Sequence, residues 1–192
     1  MKLSILMASL IGREYYLNRM LSMLEPQLTS EVELVIEIDN KELSIGAKSQ
    51  KMLERAKGDY ICYVDDDDII PAYYISEILK AIESEPDCVA INGILTIDDK
   101  NPEPFYHSIE YDDWISKDYK YYRCPNHINP VKRELALKAG WDDMKTCGDY
   151  QYSMRLRPFL KTETVIEKVM YYYLSKSATA IGRTIKSEEV KK

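Results

Sequence analysis

Four consecutive aspartates, Asp65 to Asp68, directly follow the apolar segment YICYV at residues 60–64. Adjacent carboxylates destabilise one another when they are partly removed from water, so the run indicates a cation site or a strongly hydrated position. Carboxylate oxygens suit Mg²⁺ or Mn²⁺, which bind through one or two carboxylates together with phosphates and water. The spacing alone equally allows a solvated acidic turn before a helix, where aspartate is favourable. A calcium loop of the EF-hand kind is excluded, because the spaced ligands and the bidentate glutamate are missing.

The segments around the aspartates alternate between strand and helix patterns. Strands are predicted at 2–9, 32–38, 59–64 and 87–97. Helices are predicted at 13–25, 43–58 and 72–84, the second closed by Gly58 in the usual C-terminal position. This alternation predicts an α/β fold with a mostly parallel sheet between helices.

Polar clusters follow three of the predicted strands. They are Ser9, the pair Asp39-Asn40, and the aspartate run. Ligands of open α/β sheets bind outside the carboxyl ends of the strands, so we expect the three clusters to meet in one crevice.

The second half of the chain is less regular. Prolines, acidic pairs and aromatics predict loops and short strands over residues 98–130. Two helices, at 131–140 and 149–160, and a strand at 164–174 follow, and the charged tail at 176–192 is expected to be mobile.

The composition is that of one soluble domain. With 192 residues, 45% of them hydrophobic, the chain can bury one core. Its net charge of -6 argues against extended nucleic-acid binding, although a local basic patch stays possible. No run approaches the roughly 20 apolar residues of a membrane span, and the short apolar N-terminus reads as a first core strand rather than a signal peptide.

The cysteines point to a reducing compartment. Cys62, Cys88, Cys124 and Cys147 are widely spaced and form no CxxC pair, so neither a zinc site nor a disulfide framework is indicated. We therefore expect reduced thiols and a cytoplasmic protein, with contact at the membrane surface as a further option.

Several segments together resemble the nucleotide-binding half of the GT-A fold glycosyltransferases of family 2. They are SILMASLIGREYYLNRMLSML, ELVIEIDN and SIGAKSQKMLERAKGDYICYVDDDDIIPAYY. Later, AGWDDMKTCGDYQYSMRL resembles the segment that carries the catalytic base of that family. The matches cover roughly residues 3 to 157, and their order and spacing are more specific than a DxD motif alone.

The resemblance implies roles for individual residues. Asp65 and Asp67 would be the DxD carboxylates that hold Mn²⁺ or Mg²⁺, with Asp67 the direct ligand and Asp65 also near the ribose or diphosphate. Asp66 counts with the nucleotide site, although its side chain can point elsewhere. The remaining nucleotide-site positions are Ala8, Ser9 and Arg13 in the first turn, Asp39 at the base and Lys48 at the phosphates.

The acceptor side follows from the same resemblance. Asp149 matches the catalytic base, for which N-capping of the following helix is the alternative. Gly140, Trp141 and Asp142 match the loop that flanks donor and acceptor. His127 could contact the diphosphate or acceptor, or could be a packed, hydrogen-bonded loop histidine.

The implied reaction is an inverting transfer of a sugar from a nucleotide-sugar, most simply a UDP-sugar, to an acceptor hydroxyl. Residues 1–98 would bind the donor and residues 99–175 the acceptor. The acceptor could be a saccharide, a lipid-linked glycan, a protein or another hydroxyl compound, and a modified base is not excluded. These identities depend on loops and pocket shape rather than on the shared motif.

Two departures from the family pattern keep other functions open. Gly148 stands where a glutamate is usual, and Ser49-Gln50 stands where Arg-Asn is common. A non-catalytic nucleotide- or glycan-binding domain therefore stays an alternative. A nucleotidyltransferase of similar build is another, although ASLIGREYY is a poor version of its phosphate loop.

Overall fold

The computed structural model describes residues 1–145 and 148–176. The strands are β1 (Leu3–Leu10), β2 (Val32–Asp39), β3 (Tyr60–Tyr63), β4 (Cys88–Ile97), β5 (Lys100–His107), β6 (Ile115–Lys117), β7 (Lys120–Arg123), β8 (Val131–Lys132) and β9 (Glu163–Ser175). The helices are α1 (Glu14–Leu24), α2 (Ile45–Arg55), α3 (Tyr74–Ala81), α4 (Arg133–Ala139) and α5 (Gly148–Leu156). The predicted α/β class is confirmed.

The described strands form one mixed sheet in the order β2-β1-β3-β8-β4-β5-β7-β6, with β9 also paired to β4. Strands β2, β1 and β3 run parallel, as the βαβ pattern predicts. Antiparallel pairs begin where β8 joins β3 and continue where β4 joins β5. Because β1, β2 and β3 are parallel, their carboxyl ends lie along one edge of the sheet.

Helices cover both faces of the parallel part. Successive residues of β1 point to opposite faces, so Ile5 packs in the core cluster that includes Met20 of α1, and Leu6 packs in the cluster that includes Met52 of α2. Burial on both faces explains why β1 is a nearly continuous apolar run. The sheet is thereby a fixed base for the loops at its carboxyl edge.

The prediction that Gly58 ends the second helix is wrong. Helix α2 ends at Arg55, and Ala56 occupies the cap position with extended dihedral angles. Gly58 instead packs against β1, where its N–H donates to Ser4 Oγ at 2.7 Å. A Cβ at this position would lie 2.5 Å from the Ser4 backbone nitrogen, so the close packing requires glycine.

Residues 98–130, predicted as loops and short strands, contain β5, β6 and β7. The longest of these, β5, has 8 residues and pairs with β4. The predicted strand near the C-terminus is β9, and its partner β4 runs parallel to it. Within residues 1–145 and 148–176, no helix has the length and apolarity needed to cross a bilayer.

Two expectations fall on residues that the structure does not describe. Residues 177–192, most of the charged tail that was expected to be mobile, lie outside the described residues, as does Cys147. The three cysteines that the structure describes, Cys62, Cys88 and Cys124, are free and buried.

Candidate active site

Two of the three polar clusters at the strand ends, Ser9 and the aspartates, line one cleft, and Asp39 of the third is joined to it by Lys48. Ser9 Oγ donates to Asp66 Oδ2 at 2.6 Å, which joins the first strand end to the aspartates. Lys48 Nζ donates to Asp39 Oδ1 at 2.8 Å and to the Ser9 carbonyl at 3.3 Å, which joins the first strand end to the second. The cleft has a volume of about 590 Å³, within the range of small-molecule sites. Its lining residues include Ala8, Ser9, Arg13, Lys48, Asp65, Asp66, Asp67 and Lys145.

The aspartates at the cleft alternate between two environments. The side chains of Asp65 and Asp67 are 41% and 45% exposed, whereas Asp66 and Asp68 are buried. Asp66 accepts from Arg13 through both Nε at 3.0 Å and Nη2 at 2.5 Å. Arg13 Nη2 also lies 2.9 Å from Asp67 Oδ2. Asp66 therefore holds Arg13 in place, and Asp65 and Asp67 offer carboxylate oxygens to a ligand.

Asp68 belongs to the support of the site. Its Oδ1 accepts from the Leu174 N–H of β9 at 2.8 Å. Burial, together with the charge of Asp65, raises the pKa of Asp68 well above its ordinary value. Tyr171, also on β9, accepts the Asp65 N–H at 3.0 Å. Strand β9 thus fixes the turn formed by Asp65 to Asp68, here called the aspartate turn. No local sequence signal indicates that Tyr171 makes this contact.

Asp65 and Asp67 are the residues that would hold the Mg²⁺ or Mn²⁺ implied by the resemblance, together with a bound diphosphate. Mg²⁺ is commonly held by one or two carboxylates, with phosphate oxygens and water completing its shell. Among the described residues, no group of three or more His, Cys, Asp or Glu side chains could hold a metal alone. A cation at this turn would therefore depend on the ligand for much of its coordination.

His127 lies between the aspartate turn and Asp149. Its Nε2 is 3.3 Å from Asp65 Oδ2, and its Nδ1 is 3.6 Å from Asp149 Oδ1. Burial of the ring disfavours its charge, but the Asp149 and Asp65 carboxylates outweigh burial and raise the pKa of His127 to about 9. His127 therefore carries a positive charge at neutral pH. His127 is thus a packed loop histidine that is hydrogen-bonded to Asp65, and its contact with a diphosphate or acceptor stays a prediction.

Asp149 is placed by the first turn of α5. It is the second residue of that helix, and its side chain is 47% exposed. The N-capping alternative therefore does not describe its position, because a capping residue precedes the helix. A carboxylate in the first helical turn is favoured by the backbone dipole and stays available as a proton acceptor.

Lys48 is used inside the protein. Only 4% of the residue is exposed, and its amine lies between Asp39 and the Ser9 carbonyl. This contact fixes the carboxylate of Asp39 at the edge of the cleft. Lys145, which sequence reasoning did not select, also lines the cleft.

The loop predicted to flank donor and acceptor rests on an aromatic cluster. Gly140 ends α4 with a φ of 60°. Trp141 is buried, stacks on Tyr152 with a centroid distance of 4.3 Å, and donates from Nε1 to Tyr63 Oη at 2.9 Å. Asp142 forms an ion pair with Arg155. In this structure the loop is fixed by Tyr152, Tyr63 and Arg155. Its contacts to donor or acceptor stay a prediction.

The start of α2 packs directly on the same loop. The Gly46 N–H donates to the Met144 carbonyl at 3.2 Å, and Ser44 Oγ donates to the Asp143 carboxylate. A Cβ at Gly46 would lie 1.8 Å from the Asp142 carbonyl oxygen. The wall of the cleft and the residues that precede Asp149 are thus in backbone contact.

The residues that depart from the family pattern support this aromatic cluster. Gln50 Oε1 accepts the Trp141 N–H at 2.9 Å, and the Ser49 carbonyl accepts from Tyr63 Oη at 3.0 Å. A Cβ at Gly148 would lie 3.4 Å from the Trp141 ring, which is an ordinary contact. In this structure Ser49 contacts Tyr63, and Gln50 and Gly148 contact Trp141.

Solved structures share this fold. TarS of Staphylococcus aureus superposes with a TM-score of 0.63 at 15% identity, covering 91% of this chain and 37% of TarS. Its fragment 1–349 gives a TM-score of 0.64 at 15% identity in complex with UDP-GlcNAc, covering 91% of this chain and 59% of the fragment. The complex of that fragment with UDP superposes with a TM-score of 0.64 at 15% identity, covering 91% of this chain and 60% of the fragment. The chain thus spans 37% to 60% of the length of these proteins, and the likeness establishes the GT-A fold.

Sequence comparison gives the family. No curated protein sequence matches the chain. The family model described as glycosyl transferase family 2 matches residues 29–139, which is more than half of the chain. The matched range contains Asp39, Lys48, the aspartate turn and His127, whereas Arg13 and Asp149 lie outside it. With this match and the GT-A fold, the chain belongs to glycosyl transferase family 2.

Proposed function

We propose that the protein is an inverting, metal-dependent glycosyltransferase that moves a sugar from a UDP-sugar to an acceptor hydroxyl, with Asp149 as the base. One observation carries the proposal. The His127 ring links the two functional carboxylates, with 3.3 Å to Asp65 and 3.6 Å to Asp149. Only the His127 side chain therefore separates Asp149 from Asp65 in the donor cleft, although the two aspartates are far apart in sequence.

The chemistry requires a proton acceptor at the acceptor hydroxyl and positive charge at the leaving group. Asp149 is half exposed and can take the proton as the hydroxyl oxygen attacks the anomeric carbon. A divalent cation held by Asp65, Asp67 and the diphosphate would neutralise charge on the departing nucleotide. Arg13, already fixed by Asp66, lies beside Asp67 and adds positive charge there.

The donor assignment is supported by the cleft and by the solved relatives. TarS fragments have been solved with UDP-GlcNAc and with UDP. In this chain, Asp39 is held by Lys48 at the end of β2, where a base could be read. We propose that residues 1–98 bind the donor and residues 99–175 the acceptor. The acceptor class comprises saccharides, lipid-linked glycans and other hydroxyl compounds, at a cytoplasmic or membrane-surface location.

The test is metal-dependent release of UDP from UDP-GlcNAc, with water or an added acceptor as nucleophile. Asp67→Ala should abolish both release and metal-dependent UDP binding. Asp149→Asn should retain UDP binding and lower turnover by at least about 100-fold, the contribution of a positioned general base. Asp118→Asn is the matched control, because it removes the same charge from an exposed hairpin position.

Two results would contradict parts of the proposal. Equal turnover in wild type and Asp149→Asn would refute the assigned base. UDP binding without turnover of any UDP-sugar, with Mg²⁺ and with Mn²⁺, would favour a non-catalytic binding domain.

A further inference from the structure

A small cavity adjoins Asp149 on the acceptor half of the chain. Its volume is about 30 Å³, and its polar lining residues include His107, Arg123, Asn126, His127 and Asp149. A single water needs about 10–15 Å³ of such volume, so the cavity admits one water or one hydroxyl group. Because His127 and Asp149 line it, the cavity lies beside the proposed base.

His107 presents an unpaired polar atom in the wall of this cavity. It is the last residue of β5 and is only 2% exposed. Its Nδ1 lies 2.9 Å from Asn129 Oδ1. Its Nε2 is buried and has no hydrogen-bond partner among the described residues.

The hydrogen bonds of Asn129 fix the tautomer of His107. Asn129 Oδ1 also accepts the Asn126 N–H at 3.0 Å, and Asn129 Nδ2 donates to the Val89 carbonyl at 2.9 Å. Oδ1 is therefore the acceptor side of the amide, and His107 Nδ1 must carry the proton. His107 Nε2 then holds a lone pair and can only accept a hydrogen bond.

The charge state of His107 agrees with this geometry. Burial of the ring, together with the charge of Arg123, lowers the pKa of His107 to about 3. The ring is therefore neutral at ordinary pH. A buried acceptor without a partner is unfavourable, so the unpaired Nε2 of a residue that lines a cavity of this size indicates a site for a donor group.

We propose that one hydroxyl of the acceptor enters this cavity and donates a hydrogen bond to His107 Nε2, while a neighbouring hydroxyl is deprotonated by Asp149. This inference rests on the proposed function and deepens it. Two groups that bind hydroxyls beside one another select an acceptor with at least two nearby hydroxyls, which is a saccharide or another polyol rather than a simple alcohol. His107 is thus a specificity-determining residue, and Asn129 is a positioning residue that acts through it.

The direct test observes the His107 ring nitrogens by two-bond ¹H–¹⁵N correlation in protein saturated with UDP and Mg²⁺. The probes are the methyl glycosides of glucose, galactose, mannose and N-acetylglucosamine, with propan-2-ol as the control that has one hydroxyl. We expect at least one glycoside to shift the Nε2 resonance toward the hydrogen-bonded range and propan-2-ol to leave it unchanged. No shift with any glycoside, or an equal shift with propan-2-ol, would overturn the inference. UDP binding is measured separately, so its failure would count against the proposed function alone.

Two variants separate recognition from structure. His107→Asn keeps a donor toward Asn129 but lacks an atom at the Nε2 position, and His107→Gln carries an amide oxygen near that position. We expect His107→Asn to weaken binding of the responding glycoside by about 3- to 10-fold, the value of one hydrogen bond, and His107→Gln to retain most of the affinity. UDP affinity, measured well below the melting temperature, should be unchanged in both variants, whereas some loss of melting temperature is expected because the His107 ring is buried. A joint loss of glycoside affinity, UDP affinity and thermal stability would show a merely structural role.

Discussion

Asp66 and Asp67 are adjacent in sequence, yet we expect their substitution to affect different properties: stability for Asp66, and Mg²⁺-dependent UDP binding for Asp67. Asp66 is 4% exposed and accepts from Ser9 and twice from Arg13. Removing one partner of a buried ion pair costs about 3–5 kcal/mol. Because the Arg13 side chain is 32% exposed, water compensates part of that loss, and we expect about 2 kcal/mol for Asp66→Asn. At 2–4 °C per kcal/mol for a chain of this size, the melting temperature should fall by roughly 4–8 °C.

Asp67→Asn should leave the fold almost unchanged. Its side chain is 45% exposed, and its ion pair with Arg13 contributes at most about 1 kcal/mol. The same variant should remove the strengthening of UDP binding by Mg²⁺, because it removes a proposed ligand. Urea unfolding and UDP titration with and without Mg²⁺ measure both effects, and Asp118→Asn controls for the lost charge. Equal destabilisation by Asp66→Asn and Asp67→Asn, or Mg²⁺-dependent UDP binding that survives Asp67→Asn, would refute the division of the aspartates into support and ligand.

Further variants test other features of the structure. Gly58→Ala should cost about 1–3 kcal/mol in urea unfolding, because its Cβ would meet the β1 backbone at 2.5 Å, whereas Gly148→Ala should stay within about 1 kcal/mol. In the folded protein the pKa of His107 is lowered to about 3, whereas the unfolded residue protonates near pH 6.5. Between these values the unfolded state binds the extra proton. The free energy of unfolding therefore decreases as the pH falls below about 6.5, by up to about 1.4 kcal/mol per pH unit. Wild type should therefore lose stability relative to His107→Asn between pH 7 and pH 5, and a relative gain would contradict the assignment. Lys48→Met should lower UDP affinity several-fold, because it releases the Asp39 carboxylate. The double variant Lys48→Met with Asp39→Asn should recover thermal stability, because the unpaired Asp39 charge is then removed. It should not recover UDP affinity.

The sequence predicts the parallel part of the fold and the meeting of polar clusters because both depend on local patterns. Hydrophobic periodicity locates β1 to β3 and their helices, and the strand-end rule then brings Ser9, Asp39 and the aspartates together. Strand β5 falls in a region predicted as loops and short strands, but its position was not predicted, because Pro102 and Pro104 favour loops. The prolines are tolerated because β7 pairs only with residues 105–107 of β5, beyond both of them.

The internal contacts of the site could not be predicted, because they join residues that are far apart in the chain. His127 and Asp65 are 62 positions apart, and Tyr171 and Asp65 are 106 apart. The DxD resemblance separates Asp65 and Asp67 from Asp66, but no spacing rule indicates that Asp66 bonds to Arg13 or that Lys48 bonds to Asp39. Such outcomes depend on which side chains the completed sheet places next to one another.

The backbone contact between Gly46 and the loop at 142–144 joins the cleft to the segment that precedes Asp149. If the donor binds in the cleft and the acceptor at Asp149, as proposed above, a ligand that shifts one of these segments would change the free energy of binding at the other. Linkage is reciprocal: if UDP tightens acceptor binding by some factor, the acceptor tightens UDP binding by the same factor. Gly46 also leaves no space between the two backbones for a side chain that could uncouple them. In the proposed enzyme, the affinities for donor and acceptor would therefore be coupled through Gly46 and residues 142–144 rather than only through direct contact between the two substrates.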